Sequence, residues 1–302
     1  MNHPRTVGVL GGTSLVGRPL LPLLAAAGWR PLACTRAAIP PVGPAEGGWI
    51  WCHPGDPRPG GEATVSMWLS LCPLWTLPDH LPWLESLSIR RLVALSSTSL
   101  ITKRASPDPA ERRLAAGLAT AEETLRAWSR ARGVELCLLR PTMIYDGVRD
   151  RNVAAIAAFI RRHGWFPVAG PARGQRQPVH ADCVAAACVA AVGRDGLAPA
   201  YTLSGGAPLA FCDLVTAIFT ACGLPPRIIH VPRPLWALLL PLVRALGIAA
   251  GASTGMAARM NEDLGFDHAA AARDLGFRPR PFTLSSGPCD ASARGGCEAR
   301  RP

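Results

Sequence analysis

The chain has 302 residues, 49% of them hydrophobic, which is enough for a sizeable core in one large domain or two lobes and too apolar for a disordered protein. Its net charge of +11 is carried by scattered arginines, with Lys103 the only lysine, which argues against a nucleic-acid patch and suits small phosphate-bearing ligands gripped by guanidinium groups. Ten cysteines without a CxxC exclude a zinc ribbon and a disulfide scaffold; with no secretory signal at Met1 to Arg5, they read as reduced thiols of a cytoplasmic protein with no metal site.

Thr6 to Gly11 is a short apolar run closed by glycine, so a buried strand, and Leu15 to Gly28 reads as a helix despite Pro19 and Pro22. Pro31 to Thr35, Trp49 to Cys52, Thr64 to Leu71 and Arg91 to Ser97 follow as strands two to five. Ala110 to Arg132 is a long helix carrying Glu122 and Glu123, and Val134 to Arg140 is a sixth strand stopped by Pro141. Beyond it, Asn152 to His163 is helical, Asp182 caps a helix over Cys183 to Val192, Tyr201 to Leu203 is a strand and Leu209 to Cys222 a helix. Pro234 to Gly251 is apolar but broken by Pro241 and Arg244, which makes it a core or interfacial helix and not a transmembrane span. Thr283 to Pro302, rich in Gly, Ser and Arg, is expected to be a disordered tail. Strands alternating with helices predict an α/β fold, a Rossmann-type parallel sheet with helices on both faces.

The first strand runs into Gly11, Gly12, Thr13, Ser14, Leu15, Val16 and Gly17, and then a helix. Glycines there allow a sharp turn and close approach, and the backbone N–H groups of a helix N-terminus suit a pyrophosphate. Thr35 and Arg36 close the second strand where an acidic residue would hold a ribose 2′-hydroxyl; Arg36 instead suits a 2′-phosphate, so NADP is expected ahead of NAD. Asp56, after the third strand, has two readings: a contact to the adenine amino group, or a loop carboxylate without a role.

The chain resembles the extended short-chain dehydrogenase/reductase superfamily, in its NAD-dependent epimerase/dehydratase group. Gly11 to Gly17 is similar to the GxxGxxG of that group, with Ser14 in place of the middle glycine. Ser96 to Ser99 resembles its SS(S/T), Leu139 to Tyr145 its LRPxxxYG with Asp146 in the glycine position, Arg176 to Asp182 its RDxxHVxD, and Ala272 to Pro279 its closing LGWxP. The resemblance implies a Rossmann domain over 1–148 completed by about 176–205, and a small C-terminal substrate lobe from 149–175 and 206–282. It implies that Thr98 bonds the reacting oxygen of the substrate, that Ser96 and Ser97 line the nicotinamide pocket, that Pro141 and Thr142 flank the carboxamide, and that Arg176 grips a nucleotide-sugar diphosphate. It also implies a homodimer through Ala110 to Arg132. Plainer roles stand beside these: Ser96 to Ser99 as partners of backbone groups at a strand end, and Asp182 as a helix cap.

In that family the proton is handled by a Tyr and a Lys four residues apart on the long helix after the fifth strand. Here that helix contains neither, and the only tyrosines, Tyr145 and Tyr201, have no lysine at that spacing. Three accounts follow: an atypical enzyme in which Lys103 or Tyr145 substitutes, an NADP(H)-binding sensor or assembly protein without turnover, or a reaction in which Thr98 and arginines alone polarise a carbonyl. The expectation is an oxidoreductase of the epimerase/dehydratase type acting on a nucleotide sugar or related carbonyl compound, with non-catalytic binding as the alternative.

Overall fold

A computed structural model describes residues 5–36, 48–57, 59, 61, 65–236, 238 and 254–284. Nearly all of the apolar segment from Pro234 and of the tail beyond Thr283 lies outside them, as does the start of the expected fourth strand at Thr64.

Seven strands form one parallel sheet: β1 (Arg5–Leu10), β2 (Trp29–Cys34), β3 (Ile50–Cys52), β4 (Met67–Ser70), β5 (Arg91–Leu95), β6 (Glu135–Pro141) and, from later in the chain, Ala200–Leu203. Their spatial order is 3-2-1-4-5-6 with Ala200–Leu203 outside β6, and every neighbouring pair is parallel. This is the doubly wound order in which the chain reverses direction beside β1, leaving a crevice at the carboxyl ends of the strands. The central strands are buried on both faces, which is why they read as continuous apolar runs with no alternation.

Helix α1 (Gly17–Ala26) buries Leu20, Leu21 and Leu24 against one face of the sheet, beside the helix Ala181–Val192. It tolerates Pro19 because a first-turn N–H has no partner within the helix, whereas Pro22 removes one helical hydrogen bond. The opposite face is covered by a 3-10 turn at Leu74–His80, by α2 (Leu81–Ser86) and by Leu118, Ala121 and Leu125 of the long helix Pro109–Arg132. That helix starts with Asp108 accepting from the Ala110 N–H and ends with Gly133 in the left-handed region. The helical coverage from Leu74 to Ser86 is absent from the expected elements, because Pro73, Pro78 and Pro82 mask its period.

A third apolar cluster lies apart from the two sheet faces. It is built from the helices Val153–His163 and Phe211–Ala221, a parallel strand pair Phe166–Ala169 with Ile228–Val231, and Met260. The short helices Thr254–Arg259 and Ala269–Leu275 complete the described chain.

Two local expectations differ from the structure. Pro141 is the last residue of β6 and pairs with Leu203, so the proline does not stop the strand before itself; its missing N–H costs nothing at a strand end. The second helical cap is His180, not Asp182: the helix opens at Ala181, and the His180 ring Nδ1 accepts from the Asp182 N–H.

Candidate functional site

The loop between β1 and α1 is built to let a ligand approach backbone. Gly11 has φ +81°, open to glycine at no cost, and the N–H groups of Gly11 and Gly12 both donate to the Cys34 carbonyl at the end of β2, at 3.2 and 3.3 Å. A Cβ on Gly17 would fall 2.3 Å from the Gly12 carbonyl oxygen, so the first helical turn closes on the loop only because that position is glycine. Ser14 accepts from the Gly17 N–H at 3.0 Å and thereby tightens the turn from the position where the motif usually has glycine. No side chain caps α1 at Val16. The Gly17 N–H is taken by the Ser14 hydroxyl and the Arg18 N–H by the Ser14 carbonyl at 3.2 Å, so a pyrophosphate would meet the loop ahead of Gly17 and the positive end of the helix dipole, not a row of free first-turn N–H groups. Thr13 is exposed, Leu15 lines the adjoining cavity, and Val16 is buried in the core beneath the helix.

At the end of β2, Thr35 is buried and Arg36 exposed. Asp56 is half-buried, with its carbonyl accepting from the Trp83 indole at 2.8 Å. Nearby, the Cys34 and Cys52 sulfurs approach to 2.7 Å across neighbouring strands. Their mutual contact and burial push the Cys34 thiol well above its usual range, so it stays a thiol.

A cavity of about 760 Å³ opens at the carboxyl ends of β5 and β6. Leu15, Ser96, Ser97, Thr98, Pro141 and Thr142 line its sheet end, Lys103 and Arg176 its flank, and residues of the third apolar cluster its far wall. The sequence-predicted positions on five separate segments therefore meet around one space.

Each polar residue of the sheet end has a definite anchorage. Ser96 donates to Glu122 at 2.6 Å, and Arg140 grips the same carboxylate with its Nε at 2.8 Å and a second nitrogen. Burial alone would raise the Glu122 pKa, but the hydrogen bonds from Arg140 and Ser96 outweigh it and hold the carboxyl below its usual value. Ser97 accepts from the Ser99 N–H, Thr98 donates to the Pro141 carbonyl at 3.3 Å, and Thr142 donates to the Gln177 carbonyl.

Lys103 sits one short helix beyond Thr98, in a cluster that local sequence did not announce. Its ammonium lies 3.7 Å from Glu111, and Glu111 also takes a two-nitrogen grip from Arg259 and a hydrogen bond from Ser106 at 2.6 Å. Burial holds the Lys103 pKa below its ordinary value; Glu111 opposes this and Arg259 assists it. The Glu111–Arg259 pair joins the start of the long helix to the C-terminal helix Thr254–Arg259 across 148 positions of sequence, a contact with no sequence-local signal. Glu122 was visible as an acidic residue in the long helix, but its partner Arg140 is supplied by a different strand.

The remaining predicted residues are placed differently. Tyr145 does not line the cavity: it is fully buried between His180 and Phe282, with its hydroxyl bonded to the Thr283 backbone, and burial raises its pKa. Arg176 reaches the cavity wall, yet its guanidinium donates to the carbonyls of Gln175 at 2.7 Å and Glu262 at 2.9 Å, and to that of Arg259, while lying over the Phe211 ring. Burial brings its pKa down to about 10. On the inward face of the long helix, one turn apart before Glu122, stand Leu114 and Leu118, both packed in the core and neither lining the cavity. Among the described residues no cluster of ligands suits a metal ion, and no helix is long and apolar enough to cross a membrane.

No protein-family model matches the chain. A stretch of 104 residues, 33% of the chain, is 33% identical to a mitochondrial NADH dehydrogenase (ubiquinone) 1 alpha subcomplex subunit 9 of Arabidopsis thaliana, and it spans only 25% of that relative. Among solved structures, UDP-glucose 4-epimerase of Thermotoga maritima with UDP-glucose superposes with a TM-score of 0.65 at 15% identity, over 91% of this chain and 93% of that one. A short-chain dehydrogenase/reductase superfamily protein of Agrobacterium tumefaciens with bound NAD gives a TM-score of 0.62 at 15% identity, over 91% and 92%. The chain has the fold of that superfamily and its epimerases, as its five motifs led one to expect.

Proposed function

We propose that this protein binds NADP(H) on the Gly11–Gly17 loop and interconverts a carbonyl compound and its alcohol in the adjoining cavity. The single observation that carries the reading is the convergence of Leu15, Ser96 to Thr98, Lys103, Pro141 and Thr142 on one space beside the glycine cradle. NAD bound to a structure of the same fold supports a nicotinamide cofactor, and the exposed guanidinium of Arg36 beyond β2 favours the 2′-phosphate form. UDP-glucose bound to the epimerase supports nucleotide sugars as one substrate class among the carbonyl compounds.

The nicotinamide, when bound, supplies or accepts hydride at the substrate carbon. The chain supplies the rest. Ser96 and Ser97, with Pro141 and Thr142, form the wall where the ring would lie, and Glu122 fixes Ser96 from behind. Thr98 would turn its hydroxyl from the Pro141 carbonyl, 3.3 Å away, to donate to the substrate oxygen. Lys103 holds the proton that oxygen gains on reduction, in a site where burial favours its release. The long helix has no tyrosine and no lysine, and Glu111, its carboxylate at the cavity, is held as an anion by Arg259, so the acid is taken to be Lys103. The residues 149–175 and 206–282 then act as the substrate lobe, closed onto the Rossmann part by Glu111 and Arg259.

A second reading has two observations in its favour: the missing tyrosine–lysine pair, and a stretch similar to a respiratory-complex subunit, suit a protein that binds NADP(H) for assembly or sensing. Fluorescence titration with NADPH and NADH, followed by a carbonyl-reduction screen, separates them. Saturable NADPH binding with turnover supports the enzyme, binding without any turnover supports the second reading, and no binding of either nucleotide refutes both.

A further inference from the structure

The two ends of the cavity differ in chemistry. The sheet end is hydroxylic, whereas the far wall is made by Ile156, Phe159, Phe211, Trp236, Met256 and Met260. A nucleotide diphosphate brought into such a space must exchange its hydration for charged donors, or the desolvation cost stands uncompensated.

Among the described residues, three of the four cations that line the cavity are already engaged. Arg259 spends both terminal nitrogens on the Glu111 carboxylate, and Lys103 leans on the same group. The guanidinium of Arg176 is taken up by three backbone carbonyls and serves as a strut for the 259–262 segment. Arg151, exposed, is the fourth, and a single guanidinium is what the described lining leaves to meet the two charges of a diphosphate. What the wall does offer is apolar and polarizable surface: two thioethers, several rings and branched aliphatic carbon, the lining that gains most from burying hydrocarbon.

We propose that the substrate is an apolar carbonyl compound, an aliphatic or aromatic ketone, aldehyde or enone without phosphate or sugar, rather than a nucleotide sugar. This rests on the NADP(H)-dependent reading above. The carbonyl oxygen meets Thr98 and Lys103, and the hydrocarbon body lies against Phe159, Phe211, Met256 and Met260. On reduction, the carbon–oxygen π bond breaks, hydride from the reduced nicotinamide forms the C–H bond, and the Lys103 ammonium gives the proton of the new O–H. Solvent reprotonates Lys103.

The test begins with NADPH titration of the full chain, which fails only if the cofactor reading fails. With binding established, NADPH oxidation is followed with 2-decanone, acetophenone and cinnamaldehyde, and NADP⁺ reduction with UDP-glucose; UDP-glucose binding to the NADPH-loaded protein is read by calorimetry. The expected result is turnover of at least one apolar carbonyl with kcat/KM at least about tenfold above that for UDP-glucose, since a few methylenes in an apolar pocket are worth that much. Preferential binding or turnover of UDP-glucose overturns the inference while leaving the cofactor reading intact, and so does an NADPH-loaded protein indifferent to all three apolar compounds. Two variants sharpen the result. Met256→Glu puts a charge in the apolar wall and is expected to lower kcat/KM for the apolar carbonyl by at least about tenfold with NADPH affinity retained. Glu111→Gln releases Arg259 and is expected to raise UDP-glucose affinity; if Met256→Glu leaves the apolar substrate untouched and wild-type protein already binds UDP-glucose tightly, the wall is not the substrate site.

Discussion

Substituting Glu122 by Gln tests the electrostatic frame beneath the site. The wild-type carboxylate is buried, with a side chain only 6% exposed, and it satisfies Ser96, two nitrogens of Arg140 and, at 3.5 Å, Arg126. Glutamine keeps the shape but offers one acceptor and no charge, so the Arg140 guanidinium loses its counter-ion. Breaking a fully buried pair costs about 3–5 kcal/mol; Arg140 retains 24% side-chain exposure, so partial solvation reduces the expected loss to about 2–3 kcal/mol. For a chain of this size that corresponds to a fall in Tm of roughly 3–5 °C, measured by calorimetry or circular dichroism. The pH dependence has a definite sign. Because the folded Glu122 pKa lies below the ordinary value of 4.5, its contribution is fully present above that value and is lost as pH falls through the lower folded one. The variant should therefore lose its deficit relative to wild type in acid and show it in full at neutral pH. A Glu122→Gln protein within about 0.5 kcal/mol of wild type at pH 7 would refute the reasoning, as would a double variant with Arg140→Met that is worse than the single one, since removal of both partners leaves no orphaned charge.

Three further outcomes are expected. Gly17→Ala forces a methyl group against the Gly12 carbonyl oxygen at 2.3 Å; the loop must open, so NADPH affinity should fall by at least about tenfold, read by fluorescence titration, with a lower Tm. Arg36→Ala should weaken NADPH by roughly tenfold and leave NADH unchanged, so that the ratio of the two dissociation constants moves towards one. Lys103→Met should lower kcat/KM for reduction by about 10²–10⁴ at unchanged cofactor affinity, and in wild type the reduction rate should decline as pH rises through a Lys103 pKa below the usual lysine range, a limb absent from the variant.

The sheet was legible because its strands are buried on both faces. Runs such as Arg91 to Leu95 have no polar alternation to confuse with a helix, and Gly11 to Gly17 carries its own steric logic in the residue types. That Ser96 to Thr98, Pro141 and Thr142 share one end of the cavity was legible for the same reason: they follow strand ends, and a strand end in a parallel sheet has a known side of the molecule. What the sequence hid depends on pairing over distance. Nothing near Glu111 announces Arg259, and nothing near Arg176 announces that its guanidinium will be spent on the Gln175, Arg259 and Glu262 carbonyls. The motif around Tyr145 marks a strand turn correctly, yet the hydroxyl turns away to the Thr283 backbone, because a fully buried phenol needs a partner and the nearest one lies on the C-terminal segment.

The long helix holds no tyrosine and no lysine, while the half-buried Lys103 lines the cavity from the segment before it. A tyrosine–lysine pair works because the ammonium lowers the phenol pKa, and both groups need a wet or charged surrounding to ionise. The long helix of this chain instead presents leucine to the core and then Glu122, whose charge is already matched by Arg140. In the proposed reaction the acid is Lys103 instead, where Glu111 and Arg259 hold opposite charges around it and burial favours release of its proton.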